Sequence, residues 1–181
     1  MLPGLHVIWK PIDGKRRTIM VPPAAFSVVG PCGKQYGLKW FWLQMLQGDA
    51  ADNIPGLEHY GTTNSRGEPG LKRMGEKTAE KFLEDCSSSE EAYRVIRELY
   101  RGYYEPRLDA PAGSWADRFC EQAALLWLRT DGKATVTDFA THKGYSCISK
   151  PFCTETKAAV KRLDERVKAA RAEIDGFSKA V

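Results

Sequence analysis

The stretch Gly48-Asp49-Ala50-Ala51-Asp52-Asn53-Ile54-Pro55-Gly56 constrains the fold more than any other part of the chain. It follows Leu38–Gln47, a strongly apolar run (Leu-Lys-Trp-Phe-Trp-Leu-Gln-Met-Leu-Gln) whose sequence predicts a helix with its aromatics in the core. Asn-Ile-Pro-Gly cannot continue that helix, because proline lacks a backbone donor and pushes the preceding residue toward extended backbone. The helix therefore delivers Asp49 and Asp52, three residues apart, at its C-terminal end. If helical geometry persists that far, this spacing puts both carboxylates on one face. Such oxygen pairs suit a hard cation such as Mg²⁺ (or Mn²⁺), since Mg²⁺ keeps most of its waters and takes one or two protein carboxylates.

A second stretch, Met74-Gly75-Glu76-Lys77-Thr78-Ala79, reads as a hairpin feeding a helix over Glu76–Leu83, with Ala79, Phe82 and Leu83 facing inward. Backbone N–H groups at a helix start carry partial positive charge and suit a phosphate. Lys77 and Thr78 add a cation and a hydroxyl donor to the same turn.

In this order, the two motifs resemble the 5′-nuclease family, the 5′–3′ exonucleases and flap endonucleases. That family includes the nuclease domain of bacterial DNA polymerases and the free-standing exonucleases of tailed phages. The resemblance covers residues 38–84. It implies that Asp49 and Asp52 are catalytic metal ligands of a two-metal phosphodiester hydrolase. It also implies that Arg73, Met74, Gly75, Lys77 and Thr78 bind the DNA backbone as part of a helix–hairpin–helix, where family members often hold K⁺. Two features depart from the pattern: Leu57–Gly70 intervenes as a polar, glycine-rich loop, and Arg73 stands where the hairpin usually has its first glycine. Met1-Leu2-Pro3-Gly4 with Trp9 is similar to the segment that follows the main catalytic acids of phage members. The chain is thus expected to be the C-terminal half of such a nuclease, acting with a separate N-terminal half and inactive or weakly active alone.

The expected fold is mainly α, the helical C-terminal subdomain of an α/β 5′-nuclease with a short N-terminal β-hairpin. Residues 1–37 would be a remnant of the α/β core, 38–110 the metal-pair and helix–hairpin–helix region, and 111–181 a C-terminal helical region. A hairpin is expected from Leu5–Trp9 and Thr18–Val21 around an Asp13-Gly14 turn, and a loop over Pro22–Tyr36. Ser88-Ser89-Glu90-Glu91 predicts a capping box opening a helix to about Tyr100, with Ala92, Val95, Ile96, Leu99 and Tyr103 as its apolar stripe. Arg94, Arg97 and Arg101 lie on its other face, either solvated or tracking phosphates. Pro106–Gly113 reads as a connector. Ser114 caps a helix over Trp115–Arg129, with Trp115, Phe119, Leu125, Leu126 and Trp127 in the core. Thr154–Ile174 is an amphipathic helix with Val160, Leu163, Val167 and Ile174 on one stripe.

A net charge of +4 fits a nucleic-acid partner without establishing one. No apolar run reaches the length of a membrane span, and the five scattered cysteines suit a reducing cytoplasm rather than a disulfide framework. His142, Cys147 and Cys153 match no zinc spacing. Beyond Asp49 and Asp52 no Asp-x-Asp or Glu-x-Asp pair sits on a strand end. That keeps two other classes open: a helix–hairpin–helix DNA-binding module without chemistry, and an interaction subunit that docks through the C-terminal helix.

Overall fold

A computed structural model describes residues 4–107, 114–127, 135, 137–140 and 152–178. Its N-terminal hairpin pairs β1 (Gly4–Ile12) with β2 (Lys15–Val21), and both strands are longer than the sequence suggested. Only Asp13 and Gly14 turn, at φ 51° and 72°, the doubly left-handed pair that a two-residue hairpin needs. Paired residues share a face, so Val21 and Ile19 turn inward with His6, whose ring meets Tyr36 at 5.9 Å. Leu5, Val7 and Met20 are exposed on the outer face. The expected loop after the hairpin contains a second short sheet, β3 (Val28–Val29) with β4 (Gln35–Tyr36), around a 3₁₀ turn at Pro31–Gly33.

Helix α1 spans Leu38–Gln47, as its apolar run predicts. The intervening segment is not a loop: β5 (His59–Thr63) and β6 (Pro69–Arg73) form a third antiparallel hairpin. Its alternation was hidden because glycine and threonine fill the strands and one face has no core to meet. Helices α2 (Glu76–Phe82), α3 (Ser89–Tyr104), α4 (Trp115–Leu126) and α5 (Thr154–Ser178) complete the order. The described architecture is thus a mixed one, five helices with three two-stranded sheets.

One apolar cluster joins α1, α3, α4 and α5 through Trp42, Met45, Leu46, Ile96, Tyr100, Phe119, Ala123 and Ala159. Its polar atoms are paired, as burial demands. The Trp42 indole N–H donates to Ser89 Oγ at 3.0 Å, and the Tyr100 hydroxyl donates to the Met45 carbonyl at 2.8 Å. The buried Tyr93 hydroxyl shares a hydrogen bond with Thr156 at 2.9 Å, and burial pushes its pKa up to about 12.

Several details differ from the sequence reading. Helix α3 runs one turn further, and its buried residues are Ala92, Tyr93, Ile96 and Tyr100, with Val95, Leu99 and Tyr103 half-buried at the margin. The aromatic bodies of Tyr93 and Tyr100 pull the stripe round, since each buries more area than the aliphatic residue it displaces. Ser88 accepts from the Glu91 N–H, but Glu91 in turn accepts from the N–H and hydroxyl of Ser87 rather than from Ser88. Arg97 and Arg101 pair with Glu98 and Glu105. At α4 the capping box is complete, with Asp117 as its reciprocal carboxylate. That helix ends at Leu126 and leaves Leu125 exposed. Arg129, most of the Pro106–Gly113 connector, His142 and Cys147 lie outside the described residues. Helix α5 buries Thr156 and Ala159, while Ile174 stands 63% exposed, so the expected stripe packs only in its first half.

Candidate nucleic-acid interface and acidic turn

The acidic stretch is a turn locked onto the end of α1, not an extension of it. Gly48 takes φ 77° as the C-cap, and Asp49 and Ile54 exchange both backbone hydrogen bonds, at 2.8 and 2.9 Å. Asn53 supplies the left-handed residue at φ 56°. The turn then returns to the helix. A Cβ on Gly48 would lie 2.3 Å from the Ile54 carbonyl oxygen, and one on Gly56 would lie 2.4 Å from the Gly48 nitrogen. The Leu57 N–H donates to the Leu46 carbonyl at 3.0 Å, and the Gly56 N–H donates to Gln122 of α4 at 3.0 Å. Ile54 and Leu57 drop into the core.

The helical condition for a shared carboxylate face is therefore not met; the turn carries the pair instead. Asp49 is half-buried, accepting from the Ala51 N–H at 3.1 Å through one oxygen and from the Gln44 side-chain amide at 2.8 Å through the other. Each oxygen keeps a lone pair beyond these bonds. Asp52 is exposed. Among the described residues no group of three or more His, Cys, Asp or Glu side chains converges. In number alone, Asp49 and Asp52 match the one or two carboxylates that a water-rich hard cation takes. They do not by themselves fill a two-metal centre.

The second stretch folds differently from its neighbours. Strand β6 runs directly through Arg73 and Met74 into α2, with Gly75 as N-cap. Arg73 is exposed and registers against His59. Met74 is buried, 6% exposed, and its N–H donates to the Glu58 carbonyl at 2.8 Å. It anchors the strand-to-helix junction and presents no side chain to a ligand. The Gly75 carbonyl accepts from the N–H groups of Thr78 and Ala79, Lys77 is exposed, and Thr78 is half-buried.

Lys77 faces a groove of about 490 Å³ between α1 and α2, lined also by Lys39, Lys81, Gln35, Glu80 and Glu84. Lys39 and Lys81 escaped the sequence reading. The signal was present in part, since Lys77 and Lys81 stand one helical turn apart. Lys39 is the single cation of an otherwise uncharged helix, and nothing local tells it from a solvated residue. Lys34, between two groove-lining residues in sequence, rests its ammonium over the Tyr36 and Trp40 rings at 5.8 and 6.0 Å. The positive excess of the chain lies in its N-terminal segment: residues 1–37 hold five Lys and Arg against one Asp, and residues 38–181 balance at 22 of each.

No helix among the described residues is long and apolar enough to cross a membrane. Comparison with protein-family models, with curated proteins and with solved structures gave no match.

Proposed function

We propose that the chain is the duplex-gripping, C-terminal part of a structure-specific 5′–3′ nuclease of the 5′-nuclease type. In this reading Asp49 and Asp52 contribute cation ligands, Mg²⁺ or Mn²⁺, while Arg73, Gly75, Lys77 and Thr78 hold the phosphate backbone and Met74 sets the junction that presents them. The observation that carries it is the arrangement about α1. The acidic turn hangs from its C-terminal end, and the lysine-lined groove opens beside Lys39 at its N-terminal end. Eight helical residues, 40–47, lie between Lys39 and the turn, about 12 Å of helix. A rigid helix so equipped fixes an acidic site at a set distance from a phosphate grip. The bound cation would polarise the scissile phosphate; this chain's own residues bind, orient and space the duplex. Arg73 departs from the glycine of the family pattern, and K⁺ at the junction remains part of the proposal only through the resemblance.

A second reading, a DNA-binding module without chemistry, is favoured by one feature: no third carboxylate joins Asp49 and Asp52 among the described residues. Both readings require DNA binding, and cation binding by Asp49 and Asp52 separates them. The test is binding and cleavage of a 5′-flap duplex by this chain with Mg²⁺, set against Asp49→Ala/Asp52→Ala and Lys39→Ala/Lys77→Ala/Lys81→Ala variants. Binding should weaken with salt, and the lysine variant should flatten the slope of log affinity against log salt by about 2.7, roughly 0.9 per lost phosphate contact. Binding without cleavage fits both readings; Mn²⁺ affinity that is lost in the aspartate variant then supports the nuclease part, and no Mn²⁺ affinity in the unaltered chain supports the module. Cleavage abolished by the aspartate variant would instead show a complete metal site and overturn the reading of the chain as one half. A chain that binds no duplex refutes both.

A further inference from the structure

Among the described residues the β5–β6 hairpin packs only at its base, and its chemistry points to what it meets. At the base, the Tyr60 ring packs edge-on against Phe82 at 5.1 Å, and the His59 ring stacks on Tyr103 at 6.0 Å. Beyond that, all of β6 and the tip Asn64–Glu68 are exposed. Such a projection usually frays, yet this tip is closed by five hydrogen bonds around Asn64. Its side-chain oxygen accepts from the N–H groups of Arg66 and Glu68 at 2.9 and 3.0 Å. Its backbone N–H donates to the Glu68 carbonyl, and its carbonyl accepts from the Gly67 N–H, both at 3.0 Å. Its amide group donates to the Glu68 carboxylate at 2.8 Å, which draws the only acidic side chain of the hairpin back onto the tip. Arg66 is left exposed at the end of the ribbon, with Lys72 and Arg73 along β6. The strands between are slim, with Gly61, Thr62, Thr63 and Gly70, and a Cβ on Gly61 would touch nothing within 4 Å.

We propose that this hairpin is a groove-entering arm for double-stranded nucleic acid, with Arg66 at its leading end and Lys72 and Arg73 against the flanking phosphates. A two-stranded ribbon fits the major groove, and a preformed tip enters without the entropic cost of ordering a loop. Charge selects the occupant: three cations and one tied carboxylate suit a polyanion, not an apolar protein surface. The ribbon also leads straight into Arg73–Gly75, so groove contact and backbone grip form one surface. The inference rests on the proposed duplex binding and adds to it a reader of duplex form.

The test compares affinities of the chain for one fluorescent 20-base-pair duplex and for one of its single strands, at fixed salt. Four proteins are measured: the unaltered chain, Arg66→Ala, Lys77→Ala, and a variant in which Ser65–Gly67 is replaced by Asn-Gly, a two-residue turn closed by Asn64 and Glu68 that keeps the strands paired. A single strand has no groove. The arm therefore predicts that Arg66→Ala and the shortened tip both lose at least fivefold on the duplex and less than twofold on the single strand, with unchanged circular dichroism. Equal losses on both substrates, or none on the duplex while Lys77→Ala still weakens binding, would overturn the arm and leave the duplex-binding proposal standing. No duplex binding by the unaltered chain would overturn both.

Discussion

Replacing Gly56 by alanine tests the claim that the acidic turn is locked onto α1 by two facing glycines. Gly56 sits at φ 65°, where an L side chain costs about 1–2 kcal/mol. Its new Cβ would lie 2.4 Å from the Gly48 nitrogen and 2.8 Å from both the Gly48 Cα and the Leu46 carbonyl oxygen. All three are backbone atoms, so relief requires shifting the end of α1 or the turn itself, at the roughly 1–3 kcal/mol that overpacking costs. Alanine also stiffens the unfolded chain, which returns about 0.4–1 kcal/mol. The net loss should be about 1–4.5 kcal/mol, a fall in Tm of roughly 2–18 °C for a chain of this size. Thermal unfolding followed by circular dichroism measures it. Gly61→Ala is the matched control, because its Cβ meets nothing and its backbone is in no left-handed region. The control should hold or gain stability. If Gly56→Ala melted within 1 °C of the unaltered chain, the two glycines would not be interlocked.

Other outcomes follow from single contacts. Met74→Ala should cost about 2–4 kcal/mol in urea unfolding, because its side chain is buried, while duplex affinity of the folded protein stays within twofold. Trp42→Phe should cost about 1–3 kcal/mol by leaving the buried Ser89 hydroxyl without its donor, and Trp42→Phe with Ser89→Ala should recover part of that loss. Burial works to raise the Asp117 pKa, but the Ser114 N–H and hydroxyl and the Arg162 guanidinium outweigh it and hold the carboxyl below its usual range. A depressed folded pKa stabilises above the unfolded value, near 4, and that contribution disappears as pH falls toward the folded one. Asp117→Asn should therefore lie about 1 kcal/mol below the unaltered protein at pH 7 and approach it below pH 4, measured as unfolding free energy against pH. Asp49→Asn should keep the acceptor for the Ala51 N–H and melt within about 2 °C of the unaltered chain, yet lose at least tenfold in Mn²⁺ affinity by calorimetric titration.

The parts of the fold that sequence exposes are those decided locally. Leu38–Gln47 is mostly apolar and meets a glycine at its end, so α1 has the predicted bounds. Asp13-Gly14 fits the one turn type that joins two strands through two residues. Elsewhere a tertiary partner decides. The β5–β6 strands contain two glycines and a proline, poor strand formers that pair here because Tyr60 and His59 find Phe82 and Tyr103. The stripe of α3 follows its two buried tyrosines, one bonded to α1 and one to α5, and neither partner is visible from the α3 sequence. Lys39 gains meaning only when α2 closes the other wall of the groove.

Packing explains most of the acidic turn without any ligand. Gly48 and Gly56 are needed by close backbone approach, Asn53 by its left-handed φ, and Ile54 and Leu57 by the core. Asp49 is partly explained, since both its oxygens hold local donors. Asp52 is not: it is exposed and takes no part in the bonds that close the turn. An exposed carboxylate that serves no packing purpose, three residues from one that retains free lone pairs, is what the proposed cation site would use. The distinction can be measured, because Asp52→Asn should leave the melting temperature unchanged and reduce Mn²⁺ binding as far as Asp49→Asn does. If the two differ tenfold or more, the turn holds its cation through Asp49 alone, and the paired-carboxylate site of the proposed nuclease is wrong.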